Sequence, residues 1–183
     1  MHVPQARRFE LTNCLDDDEP DSLVARLLRA PDLHLRIPFL SSPRVISLSC
    51  WDVAPFLLSV RCGPDGHAYL SVDYGMAHNE VWPRNEILYP NLIAIMDTLS
   101  AASVDTLEIE GSLDDLAVGT WQRVFQTFSS LRTLRLKGWG TLDFMWRGLS
   151  RASGPARLVH DGAPCCPLLS EITMIEPRVA SRF

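Results

Sequence analysis

The residues best suited to covalent chemistry in this sequence are the adjacent Cys165 and Cys166, with His160 a few positions upstream. A thiol beside an imidazole base is the arrangement that cysteine nucleophiles use. All three residues lie in a Gly/Pro-rich stretch, residues 152–167, and no partner that would orient the imidazole is visible. We therefore expect no catalytic cysteine here.

The other polar residues form no pattern of a catalytic, nucleotide or metal site. Asp114 and Asp115 are adjacent in the sequence, so they point to different sides of a helix or turn and are not the facing pair that glycoside hydrolysis requires. The glycines match neither G-x-G-x-x-G nor G-x-x-x-x-G-K. The five cysteines include no C-x-x-C pair and no histidine at zinc spacing. We predict a non-enzymatic protein with no cofactor and no metal.

The most concentrated charge is an acidic run near the N-terminus, Asp16–Glu19 followed by Asp21. Consecutive acids do not have the alternating ligand spacing of a calcium loop, so a solvated loop is favoured over a hard-cation site. Residues 1–20 are predicted to be irregular. Ser22 then suits the N-cap of a helix of about two turns, which Pro31 ends.

Composition narrows the classes of partner and compartment. A net charge of −5 without a Lys/Arg cluster argues against nucleic-acid binding. No secretory apolar segment follows Met1, and the most apolar stretch, Ile87–Met96, is broken by Pro90 and is too short to span a bilayer. An odd number of cysteines without a disulfide pattern indicates reduced thiols. The expected location is therefore the cytoplasm or the nucleus, without membrane attachment.

The elements that position the remaining polar residues begin with a predicted β-hairpin in the region 44–74. Two segments alternate apolar and other residues with period two, on either side of the turn sequence Gly63–Gly66. Their apolar positions are Phe56, Leu58, Val60 and Cys62 in the first and Ala68, Leu70, Val72 and Tyr74 in the second. Residues 75–90 are predicted to be a long connection, in which Trp82 is either a packing residue or an exposed anchor.

Residues 90–176 are predicted to be helix–strand repeats. Three segments share the spacing apolar-x-x-apolar-x-apolar, and each follows a stripe at i, i+3, i+4, i+7, one face of an α-helix. The strand segments are Val104–Leu107–Ile109, Leu131–Leu134–Leu136 and Leu169–Ile172–Met174. The stripes are Leu92, Ile95, Met96 and Leu99; Trp121, Val124, Phe125 and Phe128; and Leu142, Met145, Trp146 and Leu149. Pro90 suits the first turn of its helix, Thr120 and Thr141 suit N-caps, and Asp143 favours the positive end of its helix dipole.

This repetition predicts an α/β fold, a leucine-rich-repeat-like solenoid of helix–strand units with an N-terminal antiparallel β-hairpin. The step from Val104 to Leu131 is 27 residues, which fits such a repeat, and the step from Leu131 to Leu169 is 38. The longer step requires an insertion, which the Gly/Pro-rich residues 152–167 supply. Residues 21–183 are expected to form a single domain.

The alternate positions of the predicted strands face the concave surface, where repeat solenoids bind partners. Aligning the first two strands stacks residues of opposite charge. The three pairs are Asp105 with Arg132, Glu108 with Arg135, and Glu110 with Lys137. One interpretation is a ladder of ion pairs that keeps parallel strands in register; the other is a charged recognition strip for an unidentified protein partner. The third strand offers Glu171, Thr173 and Ile175 to the same face.

The segments VDTLEIEG, TWQRVFQTFSSLRTLRLKGWG and CPLLSEITMIE resemble the repeat region of fungal (basidiomycete) F-box proteins, and YLSVDYG resembles the segment upstream of it. The similarity spans residues 44–175. It implies the substrate-recognition module of a cullin-type ubiquitin ligase, with Cys166-Pro167 as a structural lead into a strand. Ser112, Trp139 and Pro177 replace the Asn that usually closes the repeat. No F-box helices precede the repeats, so a ligase adaptor is a partner only if an F-box lies upstream. The alternative is a stand-alone scaffold or a truncated repeat fragment.

Overall fold

A computed structural model of the chain describes residues 8–14, 40, 42–50, 56–62, 68–75, 85–100, 102–154 and 165–175. Within these residues the fold is α/β, with one mixed sheet of seven strands and three α-helices. The strands are β1 (Arg8–Cys14), β2 (Pro43–Ser49), β3 (Phe56–Cys62), β4 (Ala68–Gly75), β5 (Thr106–Ser112), β6 (Thr133–Trp139) and β7 (Glu171–Ile175). The helices are α1 (Asn85–Thr98), α2 (Val118–Thr127) and α3 (Asp143–Ala152), and a 3-10 turn covers Leu113–Asp115.

The sheet has the strand order β1-β4-β3-β2-β5-β6-β7 and is open rather than closed into a barrel. Strand β3 is antiparallel to both of its neighbours, whereas every other neighbouring pair is parallel. The chain therefore makes a meander from β2 to β4, returns through α1, and places β5 beside β2. From there each helix leads to the next parallel strand.

The predicted hairpin is confirmed as the antiparallel pair β3 and β4. Its register runs from Phe56 opposite Tyr74 to Cys62 opposite Ala68, which agrees with the two alternating segments in the sequence. The alternation places Leu58, Val60 and Leu70 in the core with no solvent exposure. The turn Gly63–Gly66 lies outside the described residues.

The expectation of an irregular segment over residues 1–20 is wrong for Arg8–Cys14, which form strand β1. This strand pairs in parallel with β4, from Arg8 opposite Tyr69 to Cys14 opposite Gly75. The physical reason is that the hairpin leaves one edge of β4 with unpaired backbone groups, which a further strand satisfies. The predicted helix after Ser22, the acidic run and Trp82 lie outside the described residues.

The boundaries of the helices differ from the sequence expectation at three proline and threonine positions. The connection predicted for 75–90 ends earlier, because α1 begins at Asn85 and contains Pro90 in its interior. Leu88 is buried and extends the apolar stripe of α1 by one turn, which offsets the backbone hydrogen bond that Pro90 cannot donate.

Thr120 lies inside α2 and is buried, while Ala117 is the N-cap. Leu142, not Thr141, is the N-cap of α3, and Asp143 lies in its first turn as predicted.

The inward positions of the first two predicted strand segments are buried, as are all four residues of the α2 stripe. The buried residues are Val104, Leu107, Ile109, Leu131, Leu134 and Leu136 in the strands, and Trp121, Val124, Phe125 and Phe128 in and after α2. In the third unit Leu169, Ile172 and Met174 are only partly buried. Within the described residues β7 is the edge of the sheet, so its inward side chains have neighbours on one side only.

The apolar stripes of α2 and α3 also differ in solvent exposure at equivalent positions. Phe125 is 0% exposed, whereas Trp146, which occupies the same place in the next stripe, is 48% exposed. The amount of apolar area removed from water determines what a large side chain contributes to stability. The same position of the stripe is therefore buried in α2 and half exposed in α3.

We expect Phe125→Ala to lower the free energy of unfolding by about 3–5 kcal/mol, the usual cost of an aromatic cavity in a core. Trp146→Ala should cost less than about 1 kcal/mol, because this side chain is already half in water. Urea denaturation followed by circular dichroism measures both values. Equal losses in the two variants would contradict the difference in burial.

Helices α2 and α3 approach closely at Gly148. A Cβ atom there would lie 2.4 Å from the Cβ of Trp121 and 2.9 Å from the backbone nitrogen of Gln122. These distances are shorter than real van der Waals contacts, so a larger residue must push the helices apart. Gly119 on α2 has no atom within 4 Å of the equivalent position.

The two helical glycines should respond oppositely to the same substitution. We expect Gly148→Ala to destabilise the protein by about 1–3 kcal/mol through overpacking. Gly119→Ala should leave stability unchanged or raise it by up to about 1 kcal/mol, because alanine is the better helix former. Thermal unfolding of the two variants compares them directly, and a stabilised Gly148→Ala would rule out the tight contact.

Candidate interaction surface

The charged residues predicted to stack are brought together on the sheet face opposite α1–α3, which we call the outer face. In β5 the side chains of Leu107 and Ile109 are buried, so the alternating Glu108 and Glu110 point outward. The register places Glu108 opposite Arg135 and Glu110 opposite Lys137. The expected alignment of the two strands is therefore confirmed.

All three predicted pairs are ion pairs in the structure. A nitrogen of Arg135, Nη1, lies 3.0 Å from Oε1 of Glu108, and Nζ of Lys137 contacts Oε1 of Glu110. Nε of Arg132 lies 3.9 Å from Oδ1 of Asp105. This last pair is also linked by the backbone, because the Arg132 amide donates to the Asp105 carbonyl at 2.8 Å.

Three further residues, which the sequence pattern does not single out, contact the carboxylates from the side of β2 and β3. Arg44 Nη1 lies 2.6 Å from Asp105 Oδ2, and Ser47 donates to Glu108 Oε2 at 2.5 Å. Arg61 on β3 reaches across β2 to within 3.6 Å of Glu108. The pattern of the β5 and β6 repeats contains no signal for these residues, since they belong to the hairpin region.

We call the eight charged residues the charged strip; they are Arg44, Arg61, Asp105, Glu108, Glu110, Arg132, Arg135 and Lys137. The side chains of its three acids are 26–29% exposed, whereas those of its five bases are 47–59% exposed. The carboxylates of Asp105 and Glu108 thus lie between cations on both sides, and that of Glu110 contacts Lys137. The groups that reach furthest into solvent are guanidinium and ammonium groups.

Strand β7 adds polar and apolar groups to the outer face. Glu171 accepts hydrogen bonds from Thr133 at 3.4 Å and Thr173 at 3.1 Å, so both predicted β7 residues lie beside the strip. Ile175 is opposite Lys137 and is 47% exposed. Trp139, at the end of β6, is 46% exposed. The carboxyl end of the face therefore presents apolar side chains next to the charges.

Two glycines allow the ends of β5 and β6 to approach closely. Gly111 is opposite Gly138, and a Cβ on Gly138 would lie 1.8 Å from the Gly111 carbonyl oxygen. Gly111 has a φ of +148°, and a Cβ there would lie 2.4 Å from the carbonyl oxygen of Cys50. Only glycine fits both places. The close approach fixes the neighbouring pairs, including Ser112 opposite Trp139.

Cys166 does not have the surroundings of a nucleophile. Cys166 is buried and its thiol donates to the carbonyl oxygens of Phe125 at 3.2 Å and Phe128 at 3.5 Å. Burial, with a smaller effect from Cys165, raises the pKa of Cys166 to about 12. A thiol with that pKa supplies almost no thiolate at neutral pH. His160 lies outside the described residues.

Comparison with protein-family models, with curated proteins and with solved structures gives no match for this sequence. None of the helices in the described part of the chain is long and apolar enough to cross a membrane. The described residues also contain no group of three or more His, Cys, Asp or Glu side chains that would hold a metal ion. The outer face is therefore interpreted from its own chemistry.

Because two thiols are buried, we expect the free energy of unfolding to fall at alkaline pH. Burial raises the pKa of Cys62, like that of Cys166, from 9.0 to about 12. Each of these thiols has a higher pKa in the folded state than in the unfolded state. Its contribution to the free energy of unfolding is therefore complete below the unfolded-state pKa, and it is lost as the pH rises from about 9 towards 12. We expect the urea midpoint to fall over this range.

A matched pair of variants isolates the thiols from other groups that titrate in alkali. Cys62→Ala and Cys166→Ser each remove one titrating thiol, so each should show a shallower fall of the urea midpoint between pH 8 and pH 10.5 than the parent protein. The comparison uses the change with pH in each protein rather than its absolute stability. Identical slopes would show that burial does not keep these thiols neutral.

Proposed function

We propose that this protein is a protein-interaction module and that the outer face of its sheet is the binding surface. The observation that supports this most directly is the exposure of five cationic side chains on the same face of the sheet as Trp139 and Ile175. Tryptophan and arginine are the residues most often found to carry the energy of protein interfaces. The sheet also fixes the backbone that carries these residues, so that binding orders side chains only.

The alternative from the same contacts is a structural scaffold whose ion pairs only hold parallel strands in register. The pairs do join β2, β5 and β6 laterally, which favours that role. Exposed ion pairs, however, contribute only about 0.2–1 kcal/mol each, which is little for a strip of eight charged residues. A ladder also does not explain two large apolar side chains on the same face. We therefore favour recognition.

The architecture proposed for this module is a leucine-rich-repeat-like solenoid. Three features support it: each helix is followed by a parallel strand, the inward residues of β5 and β6 align in register, and α2 packs tightly on α3. The resemblance to the repeats of fungal F-box proteins leads to a finer proposal, substrate recognition for a ubiquitin ligase. That role requires an F-box joined upstream and a cytoplasmic or nuclear location.

Charge reversal on β6 tests the binding surface. We expect the double variant R135E/K137E to lose at least about 90% of the partner captured by the parent protein from an extract of the source organism. The control is R147E/R151E, which makes the same change in net charge on exposed residues of α3. Partners are identified by mass spectrometry, and circular dichroism confirms that both variants are folded.

The pattern across the two variants decides between the functions. Loss in R135E/K137E alone supports the outer face as the binding surface. Unchanged capture in that variant would contradict it and favour the scaffold. Equal loss in both variants would mean that net charge, and not this face, determines capture.

A further inference from the structure

Resting on the proposed function, we infer that the outer face binds an extended peptide segment with two acidic side chains followed by a large apolar one at alternate positions. The site is a row of three side chains on β6: Arg135, Lys137 and Trp139. They occupy alternate positions of one strand, with Leu136 and Gly138 between them buried. The row therefore presents two cations and one aromatic ring on the same side.

The spacing of this row matches that of another extended chain. Alternate residues of a strand are about 6.6–6.8 Å apart on one face, and the same distance separates alternate side chains of any extended peptide. A segment of the form acid-x-acid-x-apolar thus places its carboxylates over Arg135 and Lys137 and its apolar side chain over Trp139. The sequence between these positions is not specified by the row.

The cations have the capacity to bind further carboxylates. The guanidinium of Arg135 contacts Glu108 through Nη1, and a guanidinium carries five N–H donors in all. With Glu171 beside the strip, five cations and four carboxylates are described on this part of the outer face. The cations are more exposed than the three carboxylates that they contact, and this exposure favours an anionic ligand over a basic one.

The apolar end of the row is enlarged by its neighbour on β7. Ile175 is opposite Lys137, next to Trp139, and both apolar side chains are about half exposed. A leucine or phenylalanine of the ligand would be covered on one side by the indole ring and on the other by the isoleucine. A ligand that binds by charge alone would not use these contacts.

Fluorescence anisotropy with labelled synthetic peptides tests the inference on the complete chain. The probe is a peptide with the core Glu-Ser-Glu-Ser-Phe, and the matched controls are Lys-Ser-Lys-Ser-Phe and Glu-Ser-Glu-Ser-Ser. We expect binding of the first probe, no binding of the basic control, and several-fold weaker binding of the control without phenylalanine. Raising the salt concentration should weaken the binding, because exposed charges are screened.

Protein variants assign the binding to the β6 row. We expect R135Q/K137Q to weaken binding of the acidic probe about tenfold and Trp139→Ala to weaken it several-fold. The control R147Q/R151Q on α3 should bind as the parent protein does. Thermal unfolding checks that each variant retains its fold, and the glutamine substitutions avoid placing a new charge beside Glu108.

Three results would overturn the inference: no binding of the acidic probe, stronger binding of the basic control, or equal weakening by the α3 variant. Its failure is separable from that of the proposed function. If the acidic probe fails but R135E/K137E still loses its captured partner, the outer face binds a ligand of other chemistry. If partner capture is also unchanged, the proposed function fails as well.

Discussion

The parallel register of β5 and β6 is the constraint on which the rest of this structure depends. Leu107 is opposite Leu134 and Ile109 is opposite Leu136, and all four side chains are buried against the helices. A shift of one residue would move a whole apolar set to the solvent side, so core burial determines the register strongly. The same register also determines which outward residues are neighbours, and it places Glu108 beside Arg135.

The charged strip is thus a consequence of packing on the opposite face of the sheet. Its ion pairs are individually weak, because the basic groups are about half exposed to solvent. The two signs of charge nevertheless differ in exposure, because the carboxylates lie closer to the sheet and the cationic groups extend further into solvent. Together with Trp139 and Ile175, this gives the outer face a chemistry that stability alone does not require.

The inward side chains of β5 and β6 are equally buried, and burial falls only at β7. The close contact of α2 and α3 at Gly148 fixes the helix layer beneath the charged strip. One unit further on, Trp146 and the inward residues of β7 are less covered than their equivalents in α2 and β6. The fully buried inward residues of β5 and β6 therefore lie on the other side of the sheet from Glu108 and Arg135.

The sequence by itself determined the hairpin, the stripes of α2 and α3, and the three ion pairs between β5 and β6, because these depend on periodicity within short segments and between neighbouring units. Only the tertiary structure decided that β2 lies beside β5, which adds Arg44, Ser47 and Arg61 to the carboxylates. It also decided that Arg8–Cys14 pair with β4. Backbone hydrogen bonds between strands are alike for many partners, so the choice of partner follows from how the whole chain buries its apolar faces.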